Sequence, residues 1–122
     1  MLLDSNIIIY AAQPEHEILR QFIADNVPFV SIVSYVEVLG YHKLTDDARQ
    51  ILIEFFTAAY ILEIDHSVAD RAVALRQQRS MSLGDSLIAA TALVHGLALV
   101  THNLVDFQWI ADLQLIDPVK AN

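Results

Sequence analysis

The sequence predicts an α/β fold, a three-layer α/β/α domain built on a five-stranded parallel sheet. Five short apolar runs alternate with longer segments of helical periodicity. The runs are apolar throughout, as expected for strands of a parallel sheet that helices cover on both faces. Only three glycines and three prolines interrupt the pattern, and no repeat or long linker divides it. We therefore expect a single domain over residues 1–122.

The first half of the chain is predicted to form two strands and four helices. In chain order these are strand 1–4, helix 5–12, helix 15–26, strand 28–31, helix 34–44 and helix 45–59. Ile18 and Phe22 belong to the apolar face of the second helix, because they are spaced by one turn. Asp46 and Asp47 stand in the first turn of the fourth helix, where negative charge stabilises the helix dipole.

The second half is predicted to form three strands and three helices. In chain order these are strand 60–64, helix 67–79, helix 82–96, strand 97–101, helix 104–110 and strand 113–117. Ser67 with Asp70, and Ser82 with Asp85, have the spacing of capping boxes that begin helices. Gly96 follows the last apolar turn of helix 82–96 and is predicted to end it.

The composition is apolar and acidic. Hydrophobic residues make up 55% of the chain, and the mean hydropathy is +0.43. Such an excess predicts apolar surface kept for another chain, and we expect a homodimer. No apolar run approaches the roughly 20 residues of a membrane-spanning helix, so no membrane association is expected. The chain has no cysteine, which excludes disulfides and zinc–thiolate sites and fits a cytoplasmic protein.

The net charge of −8 argues at first against a nucleic-acid-binding protein. Such proteins usually carry an excess of Lys and Arg, whereas this chain has seven basic and fifteen acidic residues. The charge balance would mislead if the acids gathered around a metal ion, because the ion inverts the local charge. A local group of arginines, Arg71, Arg76 and Arg79, is then the expected contact for an acidic polymer.

Polar residues follow the predicted strands at the edge where parallel sheets bind ligands. Asp4 directly follows the first strand, and Thr101 and Asn103 follow the fourth. Asp85 begins the helix before the fourth strand, and Glu37 lies in the helix after the second. If strands 1 and 4 are neighbours, these residues converge. Three close carboxylates repel unless a cation joins them, and oxygen ligands favour Mg²⁺ or Mn²⁺.

Each acid also has a purely structural interpretation. Asp4 could cap the following helix, and Asp85 could only complete the capping box with Ser82. Glu37 is harder to explain, because it is the single charge in the apolar segment 27–41, and we expect it to be buried beside a cation. The five histidines lack the spacing of a metal site.

Four segments resemble the successive motifs of the PIN domain family, and in particular VapC-type toxins of bacterial toxin–antitoxin pairs. They are "LLDSNIIIY", "VSYVEVLGY", "LGDSLIAATALVHGLALVTHNLVDF" and "LQLIDP". The resemblance implies a five-stranded parallel sheet and an RNA-cleaving enzyme that depends on Mg²⁺ or Mn²⁺. It also implies a homodimer and a small antitoxin that blocks the acidic cleft. Carried over by position, the metal ligands and catalytic residues are Asp4, Glu37 and Asp85.

The chain departs from the family pattern at two positions. Asn103 stands where many members have a fourth acid, which leaves the number of metal ions open. No basic residue directly precedes the "SLGD" segment, and Arg79 is the nearest substitute. As neighbours of the metal ligands, Ser5, Asn6, Thr101 and Asn103 are candidates for orienting the acids and the attacking water.

Two other classes of protein compete with the nuclease interpretation. A phosphohydrolase or phospho-receiver domain also places Asp after the first strand, but "DSN" lacks a second Asp and no partner Lys follows a central strand. An inactive PIN-like interaction module remains an alternative because of Asn103. Stabilisation by Mn²⁺ would distinguish the enzyme from the module.

Overall fold

A computed structural model of the protein describes residues 1–118. Within these residues short strands alternate with helices. In chain order the elements are β1 (Leu2–Leu3), α1 (Ser5–Ala11), α2 (Glu17–Asp25), β2 (Phe29–Ser31), α3 (Ile32–Leu39), α4 (Asp46–Ala58), β3 (Tyr60–Leu62), α5 (His66–Gln78), α6 (Leu83–His95), β4 (Leu99–Val100), α7 (Leu104–Phe107) and β5 (Leu115–Ile116).

The strands form one five-stranded parallel sheet in the order β3-β2-β1-β4-β5. Leu2 in the central strand pairs with Phe29 of β2 on one side and Leu99 of β4 on the other. The predicted α/β class is confirmed, and strands 1 and 4 are neighbours. The carboxyl ends of β1, β2 and β4 therefore meet at one edge, where the chain order reverses.

Helices cover both faces of the sheet. Leu2 and Leu99 belong to a buried cluster with residues of α5 and α6, whereas Leu3 and Val100 belong to a second cluster with residues of α1 to α4. Consecutive strand residues point to opposite faces, so each strand contributes to both clusters. This arrangement is the predicted three-layer architecture. Because both faces of the sheet are covered, the strands are apolar runs and do not alternate polar with apolar residues.

Two helix starts differ from the prediction because other side chains cap them. The helix predicted from Ser34 begins at Ile32, where the Ser31 hydroxyl accepts a hydrogen bond from the Val33 N–H at 3.0 Å. The helix predicted from Ser67 begins at His66, because the Asp65 carboxylate accepts from the Val68 N–H at 2.9 Å. The predicted capping box of Ser67 with Asp70 is therefore wrong.

Helix ends also differ where the sequence offers a stop signal. The helix predicted to reach Leu44 ends at Leu39, directly before Gly40, a residue that disfavours helix continuation. Arg79 lies outside α5 in an extended conformation, so it does not share a helix face with Arg76. Gly96 ends α6 in the left-handed conformation with φ of 64°, as predicted. Among the described helices, none is long and apolar enough to cross a membrane.

Candidate active site

An acidic cleft of about 300 Å³ opens at the carboxyl ends of β1 and β2, beside the start of α6. Its lining combines three carboxylates with small polar and apolar side chains: Asp4, Ser5, Asn6, Ile9, Glu37, Tyr41 and Asp85. The three acids singled out by sequence thus line one cavity, although they come from the end of β1 and from two helices that lie far apart in the chain. No basic side chain lines this cavity within the described residues.

Asp4 is fixed by a contact across the sheet and not by helix capping. It occupies the residue before α1, but its side chain makes no capping hydrogen bond. Its Oδ2 instead accepts a hydrogen bond from the Thr101 hydroxyl at 2.8 Å, and the Thr101 oxygen accepts from the Asn103 N–H at 3.0 Å. Asp4 is 4% exposed and Thr101 is fully buried. The capping interpretation of Asp4 is therefore wrong.

Glu37 is exposed, which contradicts the expectation that it is buried. The reason is the orientation of α3: Ser34 and Val38 face the interior, whereas Tyr35, Val36 and Glu37 face outward. The apolar segment around Glu37 thus forms a surface as well as part of the core. Because Glu37 is exposed, its charge has no cost of burial that a bound cation would have to offset.

The Glu37 carboxylate is nevertheless positioned by neighbours that are distant in sequence. Its Oε1 accepts a hydrogen bond from the Ser5 hydroxyl at 2.7 Å. The Ser5 and Ser34 hydroxyls share a second hydrogen bond of 2.9 Å. A hydroxyl has one proton, so when Ser5 donates to Glu37, Ser34 is the donor to Ser5. The buried Ser34 thereby orients the hydroxyl that holds Glu37.

Gly84 allows Glu37 to approach the first turn of α6. A Cβ atom built on Gly84 would lie 2.6 Å from Glu37 Oε2 and 3.3 Å from its Cδ. Side chains at this position would displace the carboxylate, so glycine keeps the two helices close enough for Glu37 and Asp85 to line the same cleft.

Asp85 combines a helix-start position with a place in the cleft. Its N–H donates to the Ser82 hydroxyl at 3.1 Å, which is the predicted cap of α6. Its side chain is half-buried and lines the acidic cleft. The capping interpretation and the site interpretation are therefore compatible, because the Ser82 hydroxyl accepts from the backbone N–H of Asp85, while the carboxylate, which also interacts with Ser82, still lines the cavity.

The electrostatics of the cleft disfavour ionised acids when no cation is present. The pKa of Asp4 is raised from 3.8 to about 6, chiefly by burial and in part by the nearby charges of Asp85 and Glu37, while the Thr101 hydrogen bond opposes the shift. Burial also raises the pKa of Asp85; the hydrogen bond with Ser82 opposes this shift, and the charges of Asp106 and Glu37 add to it. Within residues 1–118 every ion pair involves a histidine, and none includes these three cleft acids.

The donor set fits a hard divalent cation held in an open site. No group of three acid or histidine side chains in residues 1–118 is gathered tightly enough to enclose a metal ion alone. Mg²⁺ does not require such a cage, because it usually keeps several waters and binds through one or two carboxylates and substrate phosphates. Carboxylate and hydroxyl oxygens line this cavity, and an added positive charge would relieve the mutual repulsion of the acids.

The predicted neighbours of the acids divide between two clefts. Ser5 contacts Glu37, and Thr101 contacts Asp4. Asn6 is exposed and lines the acidic cleft and an adjoining cavity, which Asn103 also lines. The Asn103 amide donates to Asp106 Oδ2 at 2.6 Å, and Asn103 does not line the acidic cleft. Its position is thus displaced from the three acids.

Among the residues of the site that sequence reasoning missed are Ser34, Tyr41 and Gly84. Ser34 precedes Glu37 by three residues and so lies on a neighbouring position of the same helix, a spacing that could have indicated it. Gly84 stands inside a helix, where glycine is unfavourable without a packing reason. Tyr41 carries no such local signal, because it reaches the cleft from the turn after α3.

Comparison with known proteins identifies similar sequences and structures. Residues 1–111 match the family model of the PIN domain. The chain is 30% identical to Ribonuclease VapC1 of Haemophilus influenzae (strain R2866), over 98% of both chains. A toxin-antitoxin complex from Klebsiella pneumoniae contains a chain that is 29% identical, with a TM-score of 0.75 and 98% coverage of each. DNA-bound VapBC from Salmonella typhimurium has the same fold, with a TM-score of 0.82 at 21% identity and 96% coverage of each chain.

Proposed function

The chain belongs to the PIN domain family, and on that premise we propose that it is a metal-dependent endoribonuclease, the toxin of a toxin–antitoxin pair. The observation that carries the proposal is the acidic cleft, in which Asp4, Glu37 and Asp85 line one cavity and no basic side chain of residues 1–118 lines it with them. The similarity to a relative named as a ribonuclease supports RNA as the substrate.

The three acids would hold Mg²⁺ or Mn²⁺ at the mouth of the cleft. Such an ion supplies acidity to a bound water and neutralises charge on the attacked phosphate. Thr101 keeps the Asp4 carboxylate in one orientation, and Ser5 does the same for Glu37. These hydrogen bonds lower the entropy lost when the carboxylates bind a ligand, because their directions are already set.

Hydrolysis would proceed by attack of water on a phosphodiester phosphorus. The bond from phosphorus to the 3′ oxygen breaks, and that oxygen takes up a proton. The products are a 5′-phosphate and a 3′-hydroxyl, with the two hydrogens of one water distributed between the fragments. Asn6 lies at the junction of the acidic cleft and the adjoining cavity, where its amide can contact RNA beside the attacked phosphate.

The proposed partners are a small antitoxin and a second copy of the chain. A similar chain at 29% identity occurs in a toxin-antitoxin complex, which supports the antitoxin. Three aromatic side chains are exposed at 41% or more, Tyr35, Tyr41 and Tyr60, and exposed aromatics mark contact surfaces. A homodimer interface above about 1,000 Å² would cover part of this area. Light scattering that gives the mass of a monomer up to high concentration would contradict the dimer.

An inactive interaction module is the second candidate. Asn103 bonds to Asp106 and supplies no fourth charge to the acidic cleft, which favours weaker metal binding than a site with four acids. The module would bind the antitoxin and would neither bind metal nor cleave RNA.

Cleavage of a mixed-sequence single-stranded RNA distinguishes the two candidates. Purified protein is incubated with the RNA in chelator, then with Mg²⁺ or Mn²⁺ added in excess, and the product ends are identified. The enzyme is expected to produce 5′-phosphate ends only when metal is added. Thermal unfolding with Mn²⁺ is the accompanying measurement, since an ion bound to the folded state raises the melting temperature. RNA that stays intact, together with an unchanged melting temperature, would overturn the proposed enzyme.

A further inference from the structure

A second cleft, of about 230 Å³, adjoins the acidic cleft. We call it the Arg79 cleft; its lining includes Arg79, Ser82, Asp85, Asp106 and Trp109. Asp85 lines both cavities. An extended ligand that occupies the acidic cleft, such as a polymer, can therefore continue past Asp85 toward the Arg79 cleft.

Arg79 is held over the ring of Trp109, with its guanidinium carbon 5.5 Å from the ring centroid. The indole N–H donates to the Asp106 carbonyl at 2.9 Å, which fixes the plane of the ring. Trp109 also packs against the buried cluster that contains residues of α5 and α6. Cation–π stacking on a fixed ring restricts the long Arg79 side chain, so less entropy is lost when it binds a ligand.

The guanidinium of Arg79 keeps its N–H donors available. In the described part of the chain no hydrogen bond or ion pair uses them, although Asp85 and Asp106 line the same cleft. Arg20 provides the contrast, because its guanidinium donates to the carbonyls of Ala11 and Gln13 and so fastens the α1–α2 connection. Arg79 thus presents a positioned, exposed cation next to the acids.

From this arrangement, and resting on the proposed ribonuclease function, we infer that Arg79, stacked on Trp109, binds an RNA phosphate flanking the one that is hydrolysed. A planar guanidinium can donate two parallel hydrogen bonds to one phosphate. A protein of net charge −8 repels RNA at long range, so one well-placed cation beside the cleft contributes more than scattered surface charge. Trp109 acts through Arg79, by setting where the guanidinium lies.

Direct binding can be observed because Trp109 is the single tryptophan of the chain. A labelled, mixed-sequence single-stranded RNA is titrated into the Asp4→Asn variant in chelator, so that cleavage does not occur. Anisotropy of the label reports binding, and tryptophan fluorescence reports the Arg79 cleft. We expect both signals to change together, and Arg79→Ala to weaken binding and to remove most of the fluorescence change.

Steady-state cleavage separates a phosphate contact from a structural role. Arg79→Ala is expected to raise KM about tenfold and to leave kcat within about twofold, since it removes one charge-assisted bond to a non-reacting group. The slope of log affinity against log salt should become shallower by about 0.7, the value for one phosphate contact on a single strand. Arg79→Lys should keep that slope and recover only part of KM, because lysine lacks the planar fork.

Arg49→Ala is the matched control. Arg49 is an exposed arginine on α4 that lines neither cleft, so its removal changes the net charge by the same amount. Wild-type cleavage with an Arg79→Ala variant of unchanged KM and salt slope would overturn this inference alone. Equal effects of Arg49→Ala and Arg79→Ala would also overturn it, since they would indicate overall charge. If the wild-type protein cleaves no RNA with either metal, the proposed function itself fails.

Discussion

At its N-terminus α6 presents Asp85 to the acidic cleft, whereas three residues later Ile88 is buried in the core. The two regions of this one helix contribute to stability with opposite sign. Burial of Ile88 removes apolar surface from water and stabilises the fold by about 1.5–3 kcal/mol. At the cleft, burial of Asp85 and repulsion from Asp106 and Glu37 raise its pKa and so destabilise the ionised folded state.

The difference shows that the residues proposed for activity are not those that hold the fold together. A substitution in the cleft can remove function and increase stability, whereas one in the core lowers stability without altering the chemistry of the site. This separation arises because ligand-binding carboxylates are arranged for a cation, and the metal-free protein carries their repulsion uncompensated.

Replacement of a cleft acid should have the largest effect. We expect a more than 100-fold loss of metal-dependent RNA cleavage from each of three substitutions, Asp4→Asn, Glu37→Gln and Asp85→Asn. This exceeds the 10–100-fold loss that is typical when a residue that hydrogen-bonds to a metal ligand is replaced. Asp4→Asn should also abolish stabilisation by Mn²⁺. Initial rates and melting temperatures measure both effects.

Asp112→Asn is the control for these variants, because Asp112 is an exposed acid outside the cleft. It has φ of 68°, a conformation that asparagine also tolerates. An amide variant of the cleft that cleaves RNA as well as Asp112→Asn does would exclude that acid as a ligand.

A substitution that creates a cavity in the core should have the next largest effect, and this effect should be on stability alone. Ile88 is 1% exposed, so Ile88→Ala is expected to lower the free energy of unfolding by about 2–5 kcal/mol, and Ile88→Val by about 0.5–1.5 kcal/mol. Chemical denaturation measures both. At a temperature where the variants remain folded, kcat should match wild type; a selective loss of kcat in Ile88→Val would mean that core and cleft are coupled.

The stability of the metal-free protein should depend on pH through the titration of Asp4. Its pKa is raised from 3.8 to about 6 in the folded state. Between pH 3.8 and about pH 6, Asp4 is therefore protonated more fully in the folded protein than in the unfolded chain. Stability attributable to Asp4 is therefore highest at low pH and falls by about 3 kcal/mol as the pH rises from about 4 to above 6.

Asp4→Asn removes this titration. Compared with wild type in chelator, the variant should gain relative stability across that window and be the more stable protein at pH 7. The difference between the two unfolding free energies, measured from pH 4 to 8, isolates Asp4 from the other acids. A difference that stays constant with pH would show that Asp4 has an ordinary pKa.

Gly84→Ala should have the smallest effect and the most selective one. The added Cβ would lie 2.6 Å from Glu37 Oε2, and the flexible glutamate can move away at little cost to the fold. Alanine in place of glycine stabilises a helix interior by up to about 1 kcal/mol. We therefore expect equal or higher stability with a loss of cleavage of about tenfold, from rates and unfolding measured on the same preparation. Unchanged cleavage would mean that the position of Glu37 is not critical.

Much of the architecture is predictable because it depends on local pattern. Apolar runs followed by helical periodicity indicate a parallel sheet, and Asp4 is recognisable because it directly follows a strand whose end must lie at the ligand-binding edge. The Ser82 cap and the Gly96 terminus of α6 are likewise local, since each depends on residues within four positions. The predicted start of α5 was wrong because Ser67 and Asp65 both favour the N-cap position, and in the structure the Asp65 carboxylate accepts from the Val68 N–H.

The sequence by itself determined the fold class, the family resemblance and the identity of the candidate acids, because these reside in periodicity and in short motifs. Only the tertiary structure decided that Glu37 is exposed, that Ser5 holds it from 32 residues away, and that Gly84 leaves room for it. It also placed Arg79 on Trp109 beside Asp85. Such contacts depend on how helices cross in space, and no spacing along the chain encodes the distance between side chains on different elements.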